Sequence, residues 1–360
     1  MPLGNKIGLT LFGASHEKEI GAVLTNLPEG ETIDLSLVSS FLFRRAPGRF
    51  PWSSSRKEPD EVKILSGLAD GKTDGAPLRL VIENKDAHSA DYADFSRFPR
   101  PGHADYPALV KSEGKADLRG GGVYSGRMTA PLCAAGAIAS QILARRSVYA
   151  GAHIASLMHL CDASFPLFPS PSLFHEIASK DFPVLSDPIG KEMISSVLRA
   201  AEEGDSLGGS VECALIGLPA GIGETLFESW ESRLSAALFA IPAVKGIEFG
   251  DGFSLCSKKG SEANDAYRFE NDRVTCPTNH NGGILGGLTN GMPILFRVAV
   301  KPTPSIMLEQ KTVDLAEKKN ADIRIKGRHD PCILPRVVPA VEAAALLTAL
   351  DILSEGGIIG

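Results

Sequence analysis

The sequence predicts an α+β fold in which antiparallel sheets carry helices on their buried faces. Three observations lead to this prediction. Several strand-like segments have apolar residues at every second position, which is typical of sheets with one buried face. Helical segments with capping residues alternate with these strands. The 360 residues are 43% hydrophobic, which is enough for one large core or two of ordinary size. A doubly wound parallel sheet is the less favoured alternative.

Capping residues and apolar periodicity predict five helices. Asp34 is a candidate N-cap of a helix through Phe43, because its carboxylate can accept a hydrogen bond from the first turn. Gly204 is a candidate C-terminal cap, because glycine readily adopts the left-handed conformation found there. One further helix is predicted to begin at Thr129, with Pro131 in its first turn. Another begins at Asp187 and Pro188 and runs to Gly204. The last two extend over 230–239 and 337–353.

Alternation of apolar residues predicts strands between these helices. The candidates are residues 77–83, 148–157, 209–217 and 293–301.

The chain shows a weak internal repeat at an offset of 191 residues. The repeat predicts a duplicated unit, within a single domain over 1–360, with copies at about 7–190 and 200–355. Chance is the alternative, because glycine and proline recur in the turns of any protein. The matched pairs are Gly13 and Gly204, Ser15 and Ser206, Ile20 and Val211, Leu27 and Leu218, Pro28 and Pro219, and Gly30 and Gly221.

Composition excludes several classes of protein. A net charge of −6 argues against an extended nucleic-acid surface or a polybasic membrane patch. The six cysteines contain no C-x-x-C pair, so neither a zinc site nor a disulfide framework is indicated. The N-terminus lacks the apolar run of a signal peptide, and no stretch of about 20 apolar residues is evident, so we expect a cytoplasmic protein.

Two short segments concentrate ionisable groups beside proline. They read RPGHADY at 100–106 and GRHDPC at 327–332. Unpaired charges are costly to bury, which favours a site over a packed core. Two polar surface loops are the alternative for either segment taken alone.

Other segments are suited to binding anions. The arginines of 43–60 can form two-pronged hydrogen bonds with carboxylate or phosphate, and the glycines at 120–122 and 279–287 allow a ligand to approach the backbone. The KPTPS segment at 301–305 offers a cation and two hydroxyls. GLADGKT at 67–73 is one residue short of a Walker A loop, and no G-x-G-x-x-G opens a helix, so nucleotide motifs are rejected.

The ordered segments FGASH, RRAPG, RPGHADY, RGGG with SGR, NHNGGILGG, KPTPS and GRHDPC resemble chorismate synthase across nearly the whole chain. The resemblance implies a lyase of the shikimate pathway. It would make chorismate from 5-enolpyruvylshikimate 3-phosphate by a 1,4-elimination of phosphate, using reduced FMN without net redox change. It also implies a β-α-β sandwich fold and a homotetramer, with NADPH as a candidate reductant of the flavin.

The resemblance also assigns roles to residues. His16 would be the acid near the departing phosphate, His103 would hold the flavin in its working protonation state, and Asp330 would assist removal of the substrate proton. The substrate-binding residues would be Arg44, Arg45, Arg49, Arg127 and Arg328. The FMN contacts would be Tyr124, Ser125, Ala243, Gly286, Lys301, Pro302, Thr303, Pro304, Ser305 and Arg328. No metal is implied.

The chain departs from the family pattern beside the first histidine. Glu17 stands where the family usually has glycine, and its charge could raise the pKa of His16 or repel phosphate. Val123, Tyr124 and Pro51 replace polar or basic residues of one branch of the family. Two rival functions remain open, namely another flavin-dependent oxidoreductase and a non-catalytic paralogue that binds anions.

Overall fold

The computed structural model describes residues 3–48, 50, 53, 60–85, 94–325 and 330–359. The helices are α1 (Leu35–Arg45), α2 (Asp105–Lys111), α3 (Thr129–Ala144), α4 (Pro171–Ser179), α5 (Asp187–Glu203), α6 (Trp230–Phe239), α7 (Gly260–Ala263) and α8 (Leu334–Glu355). The strands are β1 (Gly8–Gly13), β2 (Glu19–Thr25), β3 (Val62–Ser66), β4 (Leu68–Ala69), β5 (Lys72–Thr73), β6 (Leu78–Glu83), β7 (Tyr149–Leu157), β8 (Leu160–Cys161), β9 (Gly209–Ile216), β10 (Val244–Phe249), β11 (Arg268–Glu270), β12 (Arg273–Thr275), β13 (Ile284–Leu285), β14 (Leu288–Thr289), β15 (Ile294–Val300), β16 (Glu309–Asp314) and β17 (Lys319–Arg324).

Two antiparallel sheets form the framework. The first has the strand order β1-β2-β6-β3, and the second has the order β10-β15-β9-β7-β8. Every strand pairing among the described residues is antiparallel. The prediction of an α+β fold with antiparallel sheets is therefore confirmed, and the parallel alternative is wrong.

Two buried helices pack against these sheets. Helix α3 contacts β2 and β6 of the first sheet, α8 contacts β7 and β9 of the second, and the two helices contact each other extensively. A side chain at Gly136 of α3 would place its Cβ 2.3 Å from Cβ of Ala343 on α8. The small residues of α3 therefore allow the two helices to pack closely.

Helix α8 corrects one expectation. It is long and apolar enough, by length and composition, to cross a membrane, although no such stretch was expected. All of that apolar window is buried inside the protein, so α8 is a core helix. It also begins three residues before the predicted start, because Pro335 lies in its first turn, where no backbone N–H is needed.

The other predicted helices agree closely with the structure. Asp34 caps α1 by accepting a hydrogen bond from the backbone of Ser36 at 2.8 Å. Helix α5 ends at Gly204, whose φ of 74° is left-handed.

A small second core lies apart from the main one. It joins α2 to the β16–β17 hairpin through Phe95, Leu109, Leu118 and Ile325. We call this unit the satellite module. It fixes the loop 100–104 in place, since that loop leads directly into α2.

Candidate active site

A cavity of about 630 Å³ lies between the satellite module and the main body. Its size is in the usual range for small-molecule sites. Six of its lining side chains are cationic, and Asp330 is the only acidic one among the described residues. The six cations are Arg45, Arg100, Arg127, Lys245, Lys301 and Arg336. Even with the buried partners Asp60 and Asp105 included, the described charges favour an anionic ligand.

The glycine loop at 120–122 forms one wall of the site. Its three residues have φ values of 58°, 83° and 56°, a left-handed run that only glycine tolerates easily. A side chain at Gly120 would place its Cβ 2.6 Å from His16 Nε2, and one at Gly121 would lie 3.3 Å from His103 Nε2. The loop thus brings its backbone against both predicted histidines. Gly120 and His103 line the cavity, whereas His16 lies behind Gly120.

His103 is held by a buried aspartate. Its Nδ1 lies 2.6 Å from Asp105 Oδ1, and Asp105 has no solvent exposure. Arg100 donates from Nε and Nη2 to the same carboxylate, at 2.7 and 2.8 Å. Burial would raise the pKa of Asp105, but the hydrogen bonds from Arg100 and His103 outweigh it and hold the pKa well below its usual range.

A second buried carboxylate organises two further arginines of the cavity lining. Asp60 pairs with Arg45 at 2.9 Å through one oxygen and with Arg127 through the other. Arg45 also donates to Thr129 at 3.1 Å and to the carbonyl of Gly126 at 3.0 Å. Burial, with the nearby charge of Arg336, lowers the pKa of Arg45 to about 10. Arg45 therefore lines the cavity, but its N–H groups bind acceptors of the protein itself. Its role is to hold this positively charged part of the lining in place.

Two lysines face the cavity from adjacent strands. Lys245 is exposed, and it falls where the β10–β15 pairing shifts register between Val244 and Gly246. Such a bulge re-aims a side chain. Lys301 donates to the carbonyl of Gly102, and its pKa is lowered by burial and by the charge of Lys245. Two neighbouring cations favour an anion between them.

Some hydroxyls near these groups lack partners. Thr303 Oγ1 on the cavity wall and Ser15 Oγ beside Gly120 are buried, and neither has a hydrogen-bond partner within the described part of the chain. Buried polar atoms are normally satisfied, so these two are suited to a ligand. Ser125, Ala243 and Ser305 also line the cavity, and Ala243 has an unusual φ of 76° for a residue with a side chain.

Asp330 lies where the chain enters α8. It forms an ion pair with Arg336, which also donates to the carbonyl of Arg45 at 3.2 Å. Both side chains line the cavity. Arg336 thus connects the predicted acidic residue to the arginine wall.

The remaining predicted residues divide into three groups. Tyr124, Arg127 and Pro304 line the cavity. Arg44, Gly286 and Pro302 do not line it, and the second glycine run around Gly286 forms the β13–β14 turn instead. Arg44 points into the protein and pairs with Glu342 of α8 at 2.6 and 2.7 Å, so its position does not support substrate binding. Arg49 and Arg328 lie outside the described residues.

Sequence reasoning missed several residues of the site. Arg100 and Asp105 belong to the RPGHADY segment, but the sequence pattern assigns them no role. No local sequence pattern marks Asp60, Lys245 or Arg336 as site residues, because their roles depend on partners distant in the chain.

The fold and the cavity are those of a candidate small-molecule enzyme, whose cavity is lined by arginines, lysines and a histidine paired with a buried aspartate. Comparisons with known proteins narrow this class to one family. The chorismate synthase family model matches residues 7–353. The chorismate synthase of Pyrococcus abyssi is 43% identical over 351 residues, covering 97% of this chain and 96% of its own. That of Korarchaeum cryptofilum is 41% identical over 348 residues, covering 97% and 96%.

A solved structure agrees with these relatives. A crystal structure of chorismate synthase superposes with a TM-score of 0.76 at 25% identity, covering 98% of this chain and 93% of the other. The chain belongs to the chorismate synthase family. It is a lyase, and chorismate synthesis is the activity that family, relatives and structure support together.

Proposed function

We propose that the cavity binds 5-enolpyruvylshikimate 3-phosphate beside reduced FMN and catalyses the 1,4-elimination that gives chorismate. The observation that carries this proposal is the cationic cavity with His103 and Asp330 on its wall, in a chain of this family. The substrate carries two carboxylates and a phosphate, and the six cations suit such a ligand.

The proposed chemistry breaks one C–O and one C–H bond. Phosphate leaves with the electrons of the C–O bond, the substrate loses a proton, and a new C=C bond forms, so no net oxidation occurs. His16, behind Gly120, would protonate the departing phosphate, because an imidazole is suited to proton transfer near neutrality. Asp330 would assist removal of the substrate proton.

The cavity also suits FMN. Lys301 and the unsatisfied Thr303 hydroxyl would hold its phosphate, while Ser125 and Ala243, which also line the cavity, would contact it as well. When bound, reduced FMN supplies the transient electron that the elimination requires. His103 would keep the flavin in its working protonation state.

Several finer expectations from the family remain proposals. They are a homotetramer, a cytoplasmic location and NADPH as a reductant. All six cysteines are free thiols, which supports a reducing compartment. The packing of α3 and α8 between the two sheets supports a β-α-β sandwich.

We infer further that the chain is one domain built from two copies of a unit. The sheet order β1-β2-β6-β3 has the same chain connectivity as β7-β9-β15-β10, with α1 and α6, then α3 and α8, in equivalent places. Two distant turns support this inference in detail. Gly30 donates its backbone N–H to the carbonyl of Thr73 at 2.8 Å, and Gly221 does so to Thr289 at 2.7 Å.

The threonine side chains of these turns are also equivalent. The Thr73 hydroxyl donates to the carbonyl of Pro28 and accepts from the backbone N–H of Glu31 at 2.9 Å. The Thr289 hydroxyl likewise donates to the carbonyl of Pro219 and accepts from the backbone N–H of Ile222 at 2.9 Å. If the turns descend from one unit, Thr73→Val and Thr289→Val will lower the free energy of unfolding by similar amounts, about 1–3 kcal/mol each. A large effect at only one site would contradict the inference.

The activity is tested by anaerobic incubation with reduced FMN and substrate, following phosphate release and chorismate absorbance together. We expect equal amounts of both products without consumption of reducing equivalents. NAD(P)H consumed in proportion to product would favour the rival oxidoreductase, and binding without turnover would favour the non-catalytic paralogue. His103→Ala should greatly lower turnover while the fold survives.

A further inference from the structure

The buried contacts of Asp105 exceed what a structural ion pair needs. Its carboxylate accepts from the backbone N–H of Arg100 at 3.0 Å, from two nitrogens of the same guanidinium, and from His103 Nδ1. Arg100 is itself 5% exposed. The arginine thus neutralises the aspartate, while one carboxylate oxygen remains directed at the histidine.

This arrangement decides which nitrogen of His103 carries the proton. Both Arg100 Nη2 and Asp105 Oδ1 lie within hydrogen-bond distance of Nδ1, at 3.1 and 2.6 Å. The guanidinium can only donate, and its second Nη2 hydrogen could reach an unprotonated Nδ1, but that nitrogen would then hold its lone pair 2.6 Å from a carboxylate oxygen that can only accept. Nδ1 must therefore carry a proton and donate it to Asp105.

The other ring nitrogen is then left for the ligand. Nε2 lies close to Gly121, and His103 itself lines the cavity. We propose that Asp105 is a positioning residue that fixes the Nδ1–H tautomer of His103 and presents Nε2 to the ligand in the cavity. The proposal deepens the function proposed above and rests on the place of His103 in that cavity.

The rigidity of the pair supports this role. Asp105 is the first residue of α2, and Ala108 and Leu109 of that helix are anchored in the satellite core. His103 itself belongs to a loop, so its ring takes its orientation from a helix rather than from the loop. Besides Arg100 and Asp105, the charged side chain of Lys301 also reaches this segment, where it binds the carbonyl of Gly102.

Asp105→Asn tests the proposal with little change in shape. One carboxylate oxygen receives two Arg100 donors, and the other receives one Arg100 donor and His103. The amide NH₂ of the variant will therefore take the position of the oxygen that faces His103, because only one Arg100 donor points at that position. His103 Nδ1 must then accept, and the tautomer changes to Nε2–H.

The primary measurement is ¹⁵N NMR of the histidine side chains in the full-length protein. We expect Nδ1–H for His103 in the wild type and Nε2–H in Asp105→Asn. In the chorismate assay, kcat should fall by about 10²-fold or more while KM stays unchanged, because binding is retained and only the histidine is misplaced.

A matched control separates positioning from general stability. Asp314 is also a buried aspartate of the satellite module, and it accepts two hydrogen bonds from Arg97, at 2.9 and 2.6 Å, but contacts no histidine among the described residues. Asp314→Asn should leave the His103 tautomer and kcat unchanged. Equal losses in both variants would show a merely structural role and overturn the proposal.

Two further results decide the matter. In a His103→Ala background, Asp105→Asn should cost almost nothing more, because the aspartate acts only through the histidine. If Asp105→Asn does not fold, the wild-type spectrum alone is decisive, since an Nε2–H tautomer there would refute the proposal. The spectrum does not depend on turnover, so it remains informative even if the chain forms no chorismate.

Discussion

At the scale of single residues, Arg44 and Arg45 show how neighbours in sequence acquire different tasks. Arg45 turns towards the cavity wall, where Asp60 binds it, whereas Arg44 turns between α1 and α8, where Glu342 binds it with both oxygens. A helix places successive side chains about 100° apart, so an RR pair cannot serve one ligand from the same face. The sequence pattern could not decide which arginine faced the site.

Arg44→Met should therefore reduce stability rather than substrate affinity. The substitution leaves Glu342, which is 4% exposed, with only the backbone N–H of Ala152 as a described partner, at 3.0 Å. Losing one member of a buried pair costs about 3–5 kcal/mol. Urea denaturation measures the loss, and Arg199→Met on the exposed face of α5 is the control. A raised substrate KM with unchanged stability would contradict this interpretation.

Lys245 makes the opposite prediction. Lys245→Met should weaken the binding of FMN or of its phosphate about tenfold, because a charge-assisted hydrogen bond is lost and 1.4 kcal/mol corresponds to a factor of ten. Stability should hardly change, because the side chain is exposed. Equilibrium dialysis with FMN and with inorganic phosphate measures the effect, and Lys191→Met on α5 is the control. Unchanged affinity for both would exclude Lys245 from the site.

At the scale of elements, the contact between α3 and α8 explains a glycine that would otherwise destabilise a helix. Gly136→Ala should raise helix propensity by about 1 kcal/mol, but its new Cβ would lie 2.3 Å from Ala343 Cβ and 2.5 Å from Ala343 Cα. Overpacking of this kind costs about 1–3 kcal/mol, so we expect a net loss of stability.

Chemical denaturation checks this loss against a matched glycine. Gly260→Ala in α7 meets nothing within 4 Å and has no left-handed φ, so it should be neutral or slightly stabilising. A stabilised Gly136→Ala variant would mean that the two helices separate more easily than their contact indicates.

Individual helices could be predicted from the sequence, whereas the pairings that build the site could not. Helices α1, α5 and α6 follow from local signals, namely a capping aspartate, a terminal glycine and apolar periodicity. The site depends on pairings that join distant segments, such as Asp60 with Arg127 and Lys301 with Gly102. No local pattern encodes these partners, and the bulge that aims Lys245 exists only once β10 pairs with β15.

At the scale of the whole molecule, the two sheets are covered differently. Helices α4 and α5 lie after β7 and contact the second sheet, and the cluster of Phe165, Phe174 and Ile177 packs with Ala214 of β9. No counterpart follows β1 in the first half. In the proposed duplication, α4 and α5 are therefore an insertion between β7 and β9 of the second copy, and the offset of 191 residues aligns β2 with β9 but not β1 with β7.

The strand beneath this layer, β7, carries a histidine whose ring lies 4.7 Å from that of Phe165. His153 is fully buried, with Nδ1 3.2 Å from Asp162 and Nε2 3.0 Å from Glu212. Both ring nitrogens face carboxylates, which favours the doubly protonated ring. Burial would lower the pKa of His153, but the hydrogen bonds and charges of the two carboxylates raise it above its usual value.

The raised pKa predicts a specific dependence of stability on pH. A group whose pKa is higher in the folded state stabilises the fold fully below its unfolded pKa, about 6.5 for histidine, and this contribution is lost as pH rises through the folded pKa. His153→Gln removes the contribution and leaves a buried carboxylate without its charge partner, so it should cost about 3–5 kcal/mol at pH 6. Urea denaturation at pH 6 and at successively higher pH measures the difference between wild type and variant, with exposed His159→Gln as the control. The difference should shrink as pH rises, and a constant difference would show that His153 is neutral in the folded protein and acts through packing alone.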